Sequence, residues 1–283
     1  MSSIKFVYSL LIVSLFSCSQ TATNEPSFTE DFNSFPVSEK VKNYNHSNQT
    51  IRGRYTISRH DGQVGFGSIL DPTENFQVPH RAEFTSQLDE FYNENDEIWI
   101  GFDFLVPSTY DLDLENDGNS VVIFQIHSKP TQDSSWPEYN KNLPFNRPSI
   151  ALHLIKKGEE YELLLRYGLN GKPNTEFAHR KWVKAFRKKI SPDKWHKIVF
   201  NFKLSLHDED GYIATWVDSD DYKKEDFEAH KVYGANMHNE AKPYMKMGLY
   251  RYWTDSNTHE VFYDNLTITG SREEFLKLYH SDR

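Results

Sequence analysis

Ten stretches rich in Val, Ile, Phe, Tyr and Trp recur along this chain, bounded by clusters of Gly, Pro, Asn and Asp, and no long helical stripe interrupts them. They fall at 54–59, 81–86, 97–106, 121–128, 149–156, 161–167, 195–204, 212–218, 244–252 and 261–269. Many antiparallel strands without crossover helices have few ways to bury their apolar faces, and the expected fold is an all-β, two-sheet antiparallel β-sandwich of the jelly-roll kind. The concave face of such a sandwich can hold an extended chain. Lys156-Lys157-Gly158-Glu159-Glu160 reads as a hairpin loop. One short helix is expected at the C-terminus, where Ser271 and Glu274 have the spacing of a capping box and Phe275, Leu276, Leu278 and Tyr279 form an apolar stripe, a lid on the sandwich edge. Two long connections, 130–147 and 169–192, are candidates for functional loops.

Three of the strand-like stretches carry polar residues at alternate positions: His80-Arg81-Ala82-Glu83-Phe84, Gln125-Ile126-His127, and Tyr244-Met245-Lys246-Met247-Gly248-Leu249-Tyr250. The period of two puts Arg81 with Glu83, Gln125 with His127, and Tyr244 with Lys246 and Tyr250 on one face of each strand. Such a face is poorly suited to a core, because buried polar groups need partners and buried charges need more. It suits an anionic sugar.

The order and content of these strings resemble the jelly-roll polysaccharide lyases, the group of alginate lyases, glucuronan lyases and heparin lyase I, in which Arg-x-Glu-Leu, Gln-x-His and Tyr-x-Lys-x-Gly-x-Tyr follow one another. The resemblance spans residues 28 to 270 and implies a concanavalin A-like jelly roll and β-elimination from a uronic acid polymer. No redox cofactor is implied. In that reaction the proton at C5 is removed and the oxygen at C4 expelled, and the neighbouring carboxylate must be neutralised as the enolate develops. Arg81 and Gln125 are the candidate neutralisers. His127, whose ordinary pKa is about 6.5, and Tyr250, about 10, are the candidate base and acid. Lys246 could lower the tyrosine pKa or hold the substrate. In glucuronate and mannuronate the C5 hydrogen and C4 oxygen share a side of the ring, so Tyr250 could serve as base and then acid. In guluronate and iduronate they lie on opposite faces, and His127 would be the base with Tyr250 the acid. Both arrangements stay open at this level. Where alginate lyases carry a further Gln after the last tyrosine, this chain has Tyr252, and Phe84 replaces Leu. The Gly248-Leu249-Tyr250-Arg251 ending is closer to the glucuronan and heparin lyase branch, which favours a glucuronate-containing polymer such as glucuronan, ulvan or a heparin-type chain. Alginate is the alternative, as is a non-catalytic glycan-binding lipoprotein on the same fold. A glycoside hydrolase would need two carboxylates flanking the scissile bond, and the three strings do not supply that pair.

Other residues are assigned supporting roles. Glu83 is expected to hold Arg81, and Tyr244 to be structural or a stacking surface. The basic run 179–189 is either a set of subsites, with Arg180 and Lys181 as candidates, or a solvated face. Arg147 and Arg251 are further substrate-binding candidates. Asp31 and Asp264 are weak candidates for a structural Ca²⁺, two carboxylates falling short of a coordination set.

The first seventeen residues hold one charge, Lys5, and the apolar run 6–16, too short to span a bilayer, reads as a secretory signal. It ends in Leu15-Phe16-Ser17-Cys18, which resembles a bacterial lipoprotein box with Cys18 as the lipidated residue. The expected organisation is a signal over 1–17, a lipidated cysteine and polar tether over 18–27, and one lyase domain over 28–283. The chain would then be an exported, membrane-anchored lipoprotein, on the periplasmic or cell-surface side of the outer membrane, and a monomer. Cys18 is the only cysteine, so no disulfide can form within the chain. Removing the leader takes the net charge from −9 to −10, which argues against a nucleic-acid partner and requires any polyuronate groove to be locally basic.

Overall fold

All ten stretches form strands, and six further strands join them. The computed structural model describes residues 27–30, 41–43, 51–52, 54–60, 63–71, 80–86, 96–110, 120–127, 148–169, 181–207, 209–224, 230–237, 240–251 and 257–279. Among these the strands are β1 (Ser27–Glu30), β2 (Val41–Asn43), β3 (Ile51–Arg52), β4 (Arg54–His60), β5 (Gln63–Leu70), β6 (His80–Ser86), β7 (Glu97–Leu105), β8 (Val121–His127), β9 (Ile150–Lys157), β10 (Glu160–Leu169), β11 (Lys181–Ile190), β12 (His196–Lys203), β13 (Tyr212–Val217), β14 (Lys231–Tyr233), β15 (Tyr244–Arg251) and β16 (His259–Thr269). The back sheet runs β14-β13-β12-β7-β16-β5-β4 with β1 also on β16. The front sheet runs β11-β10-β9-β8-β15-β6-β2 with β3 also on β6. Every pairing is antiparallel except β3 with β6. This is the expected sandwich.

The core lies between the sheets. Phe84, Phe124, Met245, Met247 and Leu249 of the front sheet meet Phe102, Phe200 and Tyr263 of the back sheet, with ring centroids 5.7 Å apart for Phe102 and Phe124 and 4.9 Å for Phe124 and Phe200. Each such side chain contributes roughly 1.5–3 kcal/mol of burial. The hairpin between β9 and β10 turns at Gly158, whose φ of +56° favours glycine.

Two of the additional strands matter for the site. In β5 the glycines mask the strand pattern, yet they are there for space: a Cβ on Gly65 would lie 2.5 Å from the Trp195 ring. Strand β11 falls inside what the sequence suggests is a long connection, 169–192. Its basic residues read as loop, but Val183, Ala185 and Phe186 pack on the core while a register shift at Leu165/Arg166 of its partner breaks the period of two. The Lys- and Arg-rich composition also suits an edge strand, which needs protection against pairing with other chains.

The terminal helix α1 (Arg272–Tyr279) forms where expected, with the Glu274 amide donating to Ser271 Oγ at 3.3 Å. It covers the outer face of the back sheet rather than an edge. Phe275 and Tyr279 lie over Gly101, where a Cβ would come within 2.6 Å of Phe275, and Phe275 joins Trp99, Trp216 and Tyr222 in a second apolar cluster. The reason is local: only the glycine in β7 leaves room for two rings to lie against the strand.

Candidate active site

Strands β8, β15 and β6 are consecutive neighbours in the front sheet, so the three polar strings lie side by side. The registers pair Tyr250 with Arg81, Gly248 with Glu83, Lys246 with Thr85 and with Gln125, and Tyr244 with His127. Residues directly opposite in an antiparallel pair share a face. Arg81, Glu83, Gln125, His127, Tyr244, Lys246 and Tyr250 therefore share the outer face, while Ala82, Phe84, Phe124, Ile126, Met245, Met247 and Leu249 belong to the core behind them.

The charges are centred on Glu83. Its Oε1 accepts from the Gln125 amide, and its Oε2 lies 3.6 Å from Arg81 Nη1. Glu83 thus holds Arg81, as expected, and also engages Gln125, leaving that amide its second N–H. The Arg81 guanidinium lies over the Tyr250 ring, 4.3 Å from its centroid. Lys246 Nζ lies 5.2 Å from the Tyr244 ring centroid, and the His127 and Tyr244 rings are 5.5 Å apart. Lys246 is 2% exposed, and its pKa is pushed down to about 7 because burial disfavours the ammonium; Glu83 opposes that shift and Arg81 adds to it. A neutral amine and an ammonium are therefore both accessible near pH 7.

The floor under these groups is irregular. Gly248 has φ +127°, and a Cβ there would lie 2.0 Å from the Ala82 carbonyl oxygen, so β15 can approach β6 this closely only as glycine. The β15–β8 register shifts between Met247 and Tyr250, and the β8–β9 register between Val122 and Phe124. Such bulges leave ladder groups without strand partners, and the back sheet supplies replacements through the core. Ser68 of β5 donates its hydroxyl to the Ala82 carbonyl and accepts from the Leu249 amide at 3.0 Å. Tyr263 of β16 donates to the Ile123 carbonyl at 2.8 Å and meets the Gly248 amide through its phenol, whose pKa is raised well above normal by burial. Sequence reading missed both residues; Ser68 directly follows Gly65-Phe66-Gly67, a stretch whose glycines hide the strand pattern.

Not every candidate joins this face. Arg251 pairs with His80 and turns inward, 1% exposed, donating from Nη1 to His259 Nδ1 at 2.7 Å and from Nη2 to the Asp71 carbonyl at 2.9 Å. It ties the sheets together instead of meeting substrate, because it follows Tyr250 by one position in a strand. Asp264 lies on the back sheet opposite Asp103. Gln63 Nε2 donates to Asp264 at 2.7 Å and to Asp103 at 3.0 Å, and Asn265 Nδ2 donates to Asp103 at 2.5 Å. Two carboxylates alone fall short of the six to eight oxygens that Ca²⁺ takes, and Asp31, the other residue of the expected pair, lies outside the described residues. Among the described residues no group of three or more His, Cys, Asp or Glu has metal-binding spacing. Asp31, Arg147, Arg180, Cys18 and the leader lie outside the described residues. Lys181 begins β11.

A jelly-roll sandwich with cationic and phenolic side chains gathered on one sheet face presents groups suited to holding a glycan rather than to packing a core. The polysaccharide lyase family profile matches residues 38–267, and the chain belongs to that family. It is a polysaccharide lyase, and its substrate is a polysaccharide. No curated protein sequence matches it. Among solved structures it is similar to an alginate lyase of Pseudomonas aeruginosa (14% identity, 75% of this chain and 84% of that one, TM-score 0.43). It is also similar to the calreticulin globular domain of T. cruzi (13%, 89% and 92%, 0.45) and to an exolytic alginate lyase of Zobellia galactanivorans (11%, 79% and 88%, 0.42). At these identities and scores the likenesses say nothing about substrate.

Proposed function

We propose that this lyase cleaves a glucuronate-containing polysaccharide internally by syn β-elimination, with Tyr250 as both base and acid. The observation that carries this reading is the seat of the Arg81 guanidinium over the Tyr250 ring at 4.3 Å. A carboxylate drawn to Arg81 brings its C5 proton to the phenol. His127, opposite Tyr244, stands six positions away along β15, about 20 Å of extended strand, while His153, the imidazole in Tyr250's own row across Val122, stands two strands away with its Nδ1 bonded to Ser120 at 2.7 Å, so the phenol is the proton-transferring group beside Arg81. One group acting twice fits glucuronate or mannuronate; the ending Gly248-Leu249-Tyr250-Arg251 favours the former.

In this reading Arg81 and the remaining Gln125 N–H neutralise the substrate carboxylate, and Glu83 keeps both aimed. The Tyr250 phenolate, favoured by the nearby guanidinium and ammonium, takes the C5 proton. The C5–H electron pair forms the C4=C5 bond as the C4–O bond breaks, and the proton passes from Tyr250 to the departing oxygen, which restores the phenolate. Each turnover leaves a 4,5-unsaturated uronate end.

The test is the ultraviolet absorbance of that product on a panel of glucuronan, ulvan, heparin-type chains and alginate. Cleavage at glucuronate is expected, and cleavage confined to guluronate blocks refutes the syn assignment. Tyr250→Phe should abolish turnover and leave binding largely intact, since only the hydroxyl is lost. Export and anchoring through Cys18 complete the proposal; metabolic lipid labelling that survives Cys18→Ser would refute them.

A further inference from the structure

The last residue of β15 belongs to a second gathering of titratable groups, on the inner side of the front sheet. Arg251 follows Tyr250 and points between the sheets, where its Nη1 meets His259 Nδ1 at 2.7 Å and Nε2 of the same ring at 3.5 Å, while its Nη2 donates to the Asp71 carbonyl at 2.9 Å. His259 opens β16 opposite Leu70, and Asp71 follows Leu70, so one guanidinium of the front sheet fastens two strands of the back sheet. The groups around the imidazole are Arg251 from β15, His80 opposite Arg251 on β6, and Tyr110 beyond β7, whose ring lies 5.0 Å away. Asp71 is an exposed acid at the end of β5, and Glu260 is the next residue of β16, on its other face. His80, Tyr110, Arg251 and His259 are all buried.

The chemistry of the guanidinium fixes the donor and acceptor roles. It has five N–H donors and no acceptor, and it stays charged at any working pH. The ring nitrogen that it meets at 2.7 Å must offer a lone pair, which makes His259 a neutral imidazole with its proton on Nε2. A proton added to Nδ1 removes that acceptor and sets two cations against each other in a buried place, with His80 a third basic group beside them. The bond therefore lasts only while the imidazole is neutral.

We infer that His259 is a positioning residue for the Tyr250 site: as the neutral acceptor of Arg251 it fixes the end of β15, and with it the phenol one residue away, and it releases that end when it takes a proton. This rests on the reading of Tyr250 as the proton-transferring group and adds what holds it in place. Arg251 and Tyr250 point to opposite faces of one strand, so a shift of the buried side chain moves the backbone that carries the phenol against Arg81. A misplacement of about 1 Å can cost about a hundredfold in rate. The same proton acts on folding. An unfolded chain takes it near the ordinary histidine value of about 6.5, whereas the folded chain must give up the bond, so this contribution to stability is complete above that value and is lost as the pH falls below it.

The experiment compares the wild type with His259→Asn and His259→Phe. Asparagine sets Oδ1 where the imidazole has Nδ1 and does not titrate; phenylalanine keeps a ring and offers no acceptor. Between pH 7 and pH 5 the wild-type Tm should fall by about 4–8 °C more than that of His259→Asn, the effect of a proton that the unfolded chain takes about thirtyfold more readily at pH 5. At pH 7, His259→Phe should lose at least about tenfold in kcat with KM unchanged, and His259→Asn should recover most of that loss. Parallel Tm profiles for the wild type and His259→Asn, or a wild-type kcat in His259→Phe, overturn the inference. The Tm comparison does not depend on the phenylalanine variant folding. Nor does it involve Tyr250, so failure of the lyase mechanism there would appear separately, as full turnover by Tyr250→Phe.

Discussion

Lys246 makes the activity sensitive to pH in a way that follows from its surroundings. The groups facing it are Arg81 and Glu83 from β6, Gln125 and His127 from β8, and Tyr244 and Tyr250 on its own strand. Burial, more than the Arg81 charge, brings its pKa down to about 7 against Glu83. With that value about nine-tenths of the free enzyme carries the ammonium at pH 6 and about one-tenth at pH 8. Loss of the cation weakens the hold on an anionic substrate, so kcat/KM, which reports ionisations of the free enzyme, should fall about tenfold per unit above pH 7. A docked carboxylate favours the charged form, so kcat should show the limb shifted upward or not at all. The assay is initial-rate product absorbance from pH 5 to 9 for the wild type, Lys246→Gln and His127→Gln. The limb should vanish in Lys246→Gln and persist in His127→Gln, which separates the amine from the imidazole. A limb that survives Lys246→Gln, or a wild type with none, refutes the reasoning. The same burial acts on folding. Between about 7 and the ordinary 10.5 the unfolded chain binds a proton that the folded chain does not, so this group's contribution makes stability rise with pH across that window. Lys246→Met should therefore raise Tm at pH 6 while removing activity.

Ser68→Ala leaves the Leu249 amide and the Ala82 carbonyl without their shared hydroxyl, and should cost about 1–3 kcal/mol in denaturant unfolding while lowering kcat, because the floor beneath Tyr250 loosens; an unchanged kcat would mean that the bulge stands without it. Gly248→Ala forces a Cβ against the Ala82 carbonyl at φ +127° and should destabilise by at least about 2 kcal/mol, read from the unfolding midpoint. Arg251→Gln should lower Tm and leave KM of the folded enzyme as it was, since this guanidinium serves His259 and Asp71; a rise in KM with Tm unchanged would restore it to the substrate site.

Much of this molecule can be read along the chain. Alternation within Arg81-Ala82-Glu83, Gln125-Ile126-His127 and Tyr244-Met245-Lys246 tells which side chains share a face, because successive residues of a strand point to opposite sides whatever lies next to them. The helix start at Ser271 was equally legible, being a contact within one turn. Strand β11 was not, since a bulge in its pairing with β10 upsets the alternation on which recognition depends, and its charges suggest a loop. Arg251 was misassigned by the same kind of local reasoning: its neighbour Tyr250 is at the site, and adjacency in a strand means opposite faces.

The sequence alone determined the sandwich architecture and the polar face of each motif strand, because both depend on apolar periodicity over a few residues. Only the tertiary structure decided that β8, β15 and β6 are neighbours, that Tyr250 meets Arg81 while His127 meets Tyr244, and that Ser68 and Tyr263 reach across the core to close the bulges. Those outcomes depend on pairing between segments more than a hundred residues apart, such as Arg81 and Tyr250. Register over such distances is settled by the packing of both sheets together.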